Sequence, residues 1–176
     1  EDTSVKLKVL AKSPTPIERI EIRNGVDVIE TVRGYTKEEV GDRFRVIWSG
    51  AEYRGRGRNT NWVGQAIFKN TKIERLEKIN AWNHEKLLEA KNDNCVQFDA
   101  ITTGNFGGFD VWLSNSSGAE ILIESNQGEL NLKLDDLGVD DVVLDCGGLE
   151  RKRKVVRLPN NTSHRELSRE IEINLN

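Results

Sequence analysis

An all-β sandwich of about twelve short, mainly antiparallel strands is the fold class that the 176-residue sequence predicts. Three observations point to it. Short runs alternate apolar and polar side chains with the period of two expected of half-buried strands. Turn residues recur about every ten positions. Helix-like stretches are confined to residues 85–91 and 134–137. Apolar residues make up 36% of the chain and charged residues 31%, with a net charge of −3, a balance that excludes disorder and collagen. No apolar run nears the roughly 20 residues of a membrane-crossing helix. A chain of this size buries about 70% of its extended surface, so it needs neither disulfide nor metal to fold. A single domain over 1–176 is expected.

The elements follow in order. Val5, Leu7 and Val9 alternate with Lys6 and Lys8, a half-buried strand that ends before Ser13-Pro14-Thr15-Pro16. Residues 17–22 and 26–32 form a hairpin about Asn24-Gly25, a favoured tight-turn pair. Phe44, Val46 and Trp48 alternate with Arg43, Arg45 and Ile47. Residues 65–69 and 72–79 read as a further pair turned at Asn70-Thr71, and 96–101, 109–113, 119–124, 129–134, 154–158 and 170–175 complete the set. Charge is uneven: residues 41–80 hold 9 basic and 4 acidic side chains, and residues 81–148 hold 3 and 13. The two stretches are expected to neutralise each other across one fold, or to present a docking face.

Motifs for catalysis are absent from this pattern. His84-Glu85-Lys86-Leu87-Leu88 begins like a zinc-protease helix, but Leu88 stands where the second His belongs. Cys95, Cys146, His84 and His164 have no ligand spacing among them, so no metal and no cofactor is expected, and the cysteines read as reduced. Asp135-Asp136 and Asp140-Asp141 read as solvated or turn-capping carboxylates. The glycines at 104, 107 and 108 lead into a strand rather than a helix, so they make turns and not a phosphate cradle. Asn115-Ser116-Ser117 and Asn160-Asn161-Thr162 match the glycosylation pattern, but without a leader peptide they read as polar turns. The same lack of a leader favours a cytoplasmic setting.

The feature that stands out is the run Tyr53-Arg54-Gly55-Arg56-Gly57-Arg58-Asn59-Thr60-Asn61-Trp62. If extended, Arg54, Arg56 and Arg58 share one face about 7 Å apart. Three guanidiniums with Asn59, Asn61 and an indole suit an anion, a sugar or an acidic protein surface; the acidic overall charge argues against nucleic acid. Trp62 and Trp82, placed near loops, are the two indoles that could stack on a sugar ring, whereas Trp48 and Trp112 fall in strands and read as core. The run 150–154 reads as a solvated strand entry.

Pro16 to Gly25, Trp48 to Arg58 and Asn61-Trp62-Val63-Gly64, with Thr102-Thr103-Gly104-Asn105, Gly147 to Arg151 and Arg157-Leu158-Pro159, resemble a C-terminal β-domain. That domain follows the metal-dependent phosphoesterase domain of large microbial PHP-type (polymerase and histidinol phosphatase) proteins. The resemblance implies a non-catalytic accessory domain, excised from a longer chain, whose catalytic partner lies upstream in the same polypeptide. A start at Glu1 without any Met agrees with that expectation. None of the catalytic domain's metal ligands has a counterpart here. The alternative expectation is a carbohydrate- or anion-binding module using the edge from Arg54 to Trp62.

Overall fold

The computed structural model describes residues 3–25, 27–83, 85–161 and 164–175. Val26, His84 and Thr162, singled out above, lie outside the described residues. The fold is all-β, with fourteen antiparallel strands among the described residues. By its internal contacts the chain divides into two compact units, one formed by residues 1–39 and 161–176, the other by residues 40–160.

In the first unit, β1 (Thr3–Lys12) pairs along its whole length with β14 (Glu166–Leu175), and β2 (Arg19–Asn24) pairs with β3 (Asp27–Arg33) about the expected turn. The lysines that alternate along β1 meet glutamates directly opposite them, Lys8 with Glu170 at 3.7 Å and Lys12 with Glu166 at 3.1 Å. Cross-strand pairing of this kind fixes register more than it adds stability.

The second unit holds the sandwich. One five-stranded sheet has the order β11-β10-β5-β8-β7 and the other β12-β13-β4-β9-β6. Their ranges are β4 (Arg43–Ala51), β5 (Thr60–Lys69), β6 (Ile73–Ile79), β7 (Leu88–Asn92), β8 (Cys95–Thr102), β9 (Phe106–Leu113), β10 (Glu120–Ser125), β11 (Gly128–Lys133), β12 (Val142–Asp145) and β13 (Leu149–Leu158). Pairing is nested: β7 with β8, β6 with β9, β5 with β10 and β4 with β13, as in one long hairpin wound across two sheets. Alternate residues point inward, so Phe44, Val46 and Trp48 of β4 meet Trp62, Ala66 and Phe68 of β5 and Val96 and Phe98 of β8 in one core. Trp48 stacks on Phe98 with ring centroids 4.9 Å apart, joining the two layers.

Four local expectations are corrected. Residues 65–69 and 72–79 do not pair, because β5 and β6 cross from one sheet to the other. Residues 85–91 are not helical; Leu88 is buried and the segment adds β7 to the edge of β8, so tertiary pairing overrides a good helix propensity. Trp112 is not core: it lies between the guanidiniums of Arg43 and Arg75, 4.7 and 4.3 Å from its ring, and its Nε1 donates to the Asn160 carbonyl. The run 150–154 is not wholly solvated, since Arg153 faces the core and is fully buried. Strand β12 was not anticipated from the sequence at all.

Candidate functional site

Because the strands alternate in direction, the β4–β5, β6–β7, β8–β9, β10–β11 and β12–β13 connections gather at one end of the second unit. The residues expected to bind lie here, but they do not form one extended edge. Residues 52–59 are a loop, with Gly55 and Gly57 at φ of 107° and 73°. That left-handed backbone is open to glycine and costly for any residue with a side chain. The period-two geometry expected for Arg54, Arg56 and Arg58 therefore does not apply. The base of the loop is closed by a hydrogen bond from the Glu52 amide to the Arg58 carbonyl, 3.2 Å. The Glu52 carboxylate holds Arg151, which also donates to Gln127 Oε1 at 3.3 Å.

Above this pinned base the side chains of Tyr53, Arg54, Arg56, Arg58 and Asn59 are exposed. Tyr53 leans back so that its hydroxyl lies over Gly57, 3.2 Å from where a Cβ would stand. Among the described residues no hydrogen bond or ion pair engages the guanidiniums of Arg54, Arg56 or Arg58. Other basic residues of 41–80 do meet the acidic stretch that follows. Arg43 and Arg45 hold Asp110, Lys72 holds Asp93 at 3.0 Å and Lys69 lies 3.8 Å from Glu120. Internal neutralisation is thus achieved outside the 52–59 loop.

The remaining residues divide. Asn61 is exposed at the start of β5, and its carbonyl accepts from Asn126 and Gln127, both at 3.0 Å. Trp62 is 0% exposed, its Nε1 donating to Thr102 Oγ1 at 2.9 Å while that hydroxyl donates to the Gly50 carbonyl at 2.8 Å. It offers no face to a ligand, which removes it from the binding set. Trp82 is 62% exposed in the β6–β7 connection. Beneath it runs a small cleft of about 40 Å³ lined by Trp48, Ile79, Leu87 and Phe106. Phe106 and Leu149 are also exposed at this end, so most of the exposed large apolar side chains of the unit lie at the same end as the arginine loop.

Two charged groups were missed from sequence. Asp110 is nearly buried on the outer face of β9, accepting from Arg45 Nε at 2.7 Å and from Arg43 Nε at 3.2 Å. Burial pushes its carboxyl up, but the hydrogen bonds and charges of Arg45 and Arg43 outweigh burial and hold it below the usual range. A single Asp amid the apolar residues 109–113 was the available signal, since a buried carboxylate demands a partner. Arg153 is fully buried beside the Trp62 ring, its Nη1 donating to the Gly128 carbonyl at 3.2 Å and its Nη2 to Ser125 Oγ. Burial lowers its pKa, and its Nε has no partner among the described residues.

Burial raises both thiols, Cys95 and Cys146, with the charges of Arg153 and Arg151 partly offsetting the shift at Cys146. Both are free. Among the described residues no three His, Cys, Asp or Glu side chains converge as metal ligands. No described helix is long and apolar enough to cross a membrane. Compared with family models, with curated proteins and with solved structures, the chain finds no match in any of the three.

Proposed function

We propose that the second unit is a non-catalytic binding module whose β4–β5 loop docks on an acidic protein surface. The observation that supports this is the free state of Arg54, Arg56 and Arg58 in a fold rich in carboxylates that pair elsewhere. Arginine and aromatic side chains are the types enriched in the buried centres of protein interfaces, and Tyr53, Phe106 and Trp82 supply the aromatic part. In the accessory-domain reading, the acidic surface belongs to a metal-dependent hydrolase domain of the same polypeptide, which supplies the chemistry.

The test uses the natural gene product that includes this chain. Hydrogen exchange at residues 52–59 should be slow in the wild type and fast in the triple variant Arg54→Ala, Arg56→Ala, Arg58→Ala, with cross-links from the loop lost. Fast exchange and no cross-links in the wild type would show that the loop docks on nothing, and exchange and cross-links that the triple variant leaves unchanged would show that its arginines do not hold it. A small anion held by the same guanidiniums is the second reading, favoured by the loop's exposed backbone and glycine spacing. Phosphate titration of the 176-residue chain, followed by chemical shifts in the loop, decides it.

A further inference from the structure

The outer face of the β11-β10-β5-β8-β7 sheet holds a shallow groove of about 690 Å³. Strand register sets Glu129, Glu124, Gln65, Gln97 and Glu89 directly opposite one another, one from each strand, in a single row across the sheet. Neighbouring members of such a row stand about 4.8 Å apart. Gln65 Nε2 donates to Glu124 Oε2 at 2.9 Å, whereas the Gln97 amide has no partner among the described residues. The row above it contributes Val63, 47% exposed, and Asp99, which is held by Lys86 Nζ at 2.8 and 3.0 Å. Asp99 and Leu87 line both this groove and the cleft beneath Trp82, so the groove runs on to an exposed indole.

We propose that this groove binds a neutral oligosaccharide. Sugar hydroxyls both donate and accept, which matches a row of amides flanked by carboxylates. The apolar faces of sugar rings have Val63, Leu87 and the Trp82 indole to lie on. Glu89, Glu124 and Glu129 leave the row negative: among the described residues no Lys or Arg lines the groove, and Lys86, which lines the adjoining cleft, is already matched by Asp99. Phosphates, uronic acids and nucleic acids are therefore repelled. The site shares Trp82 with the docking surface but none of the loop arginines, and it stands whether or not that loop docks.

The experiment is calorimetric and fluorescence titration of the full chain with neutral hexose and N-acetylhexosamine oligosaccharides, a galacturonate oligomer and a lysine-rich peptide. At least one neutral oligosaccharide should bind and shift the tryptophan emission; the galacturonate should not bind, and the peptide, drawn only by charge, should bind more weakly than the sugar. Trp82→Ala and Gln97→Ala should each weaken binding on the order of tenfold, the size of one lost contact of this kind. Gln97→Asn, which keeps an amide, should lose less, and all three variants should melt with the wild type. The triple loop variant should bind the sugar as the wild type does, so failure of the docking proposal leaves this result readable. Silence across the neutral panel, tighter binding of the galacturonate or the peptide, or unchanged affinity in Gln97→Ala would overturn the proposal.

Discussion

Arg43 and Arg45 stand two residues apart in β4, and Arg54, Arg56 and Arg58 stand two residues apart in the loop that follows it. In the strand, alternation places both guanidiniums on one face, and the antiparallel register with β9 sets Asp110 opposite Arg45. In the loop, glycines at positive φ break the alternation, no strand lies opposite, and the three arginines reach solvent. The same residue type at the same spacing is thus structural where a register supplies its partner and available for binding where none does. Tryptophan repeats the contrast: Trp62 is locked inward by its hydrogen bond to Thr102, and Trp82 stands exposed.

Removing the carboxylate should break the comparison most severely. Asp110→Ala leaves two guanidiniums facing each other over an empty site and should cost about 3 kcal/mol, read from urea unfolding. A loss below about 0.5 kcal/mol would mean that the strand arginines are as unconstrained as those of the loop. Acid sharpens the same point. Because the folded Asp110 carboxyl is held below its unfolded value, the stability it adds is complete above about pH 4. That contribution is lost as pH falls through the folded value, so the stability gap between wild type and Asp110→Asn should narrow on acidification. A gap that stays constant or widens would contradict the lowered carboxyl.

Smaller effects follow for the tryptophans and the loop. Trp62→Phe keeps most of the ring but leaves Thr102 Oγ1 without its donor, and should cost about 1 kcal/mol in thermal unfolding. Trp82→Ala should move stability by less than about 0.5 kcal/mol. The triple loop variant should change the stability of the 176-residue chain least of all, within about 0.5 kcal/mol. A larger loss would reveal structural contacts for the loop arginines.

Strand periodicity made most of the second unit legible from sequence. Phe44, Val46 and Trp48 announce β4 because inward and outward residues differ in polarity. Trp62 was misplaced because the inward series Thr60, Trp62, Ala66, Phe68 is interrupted by Gly64, which has no side chain to show its side of the sheet. A Cβ there would stand 2.1 Å from the Glu124 carbonyl oxygen, so the gap in the pattern is itself imposed by β10. Residues 85–91 misled in the opposite direction: their local preference is helical, and only pairing with β8 makes 88–92 a strand. The arginine loop was found by composition alone, but its conformation was not, because two glycines are compatible with extended and turned backbone alike. The amide row on the outer face was invisible. Gln65 and Gln97 are 32 positions apart in sequence and become neighbours only through register.

The nested pairing of the sandwich has a topological result. Its outermost partners are β4 and β13, so the two places where the chain enters and leaves the second unit are stitched together. The Gly41 amide donates to the Leu158 carbonyl at 2.9 Å, and the Asp42 amide to Asn160 Oδ1 at 2.8 Å. A body whose entrance and exit coincide is suited to transplantation: residues 40–160 can be cut out as one gene segment or spliced into a surface turn of an unrelated host without stretching either chain. The same closure allows the ends to be joined and new termini opened at Asn70-Thr71, a turn at the opposite pole from the arginine loop.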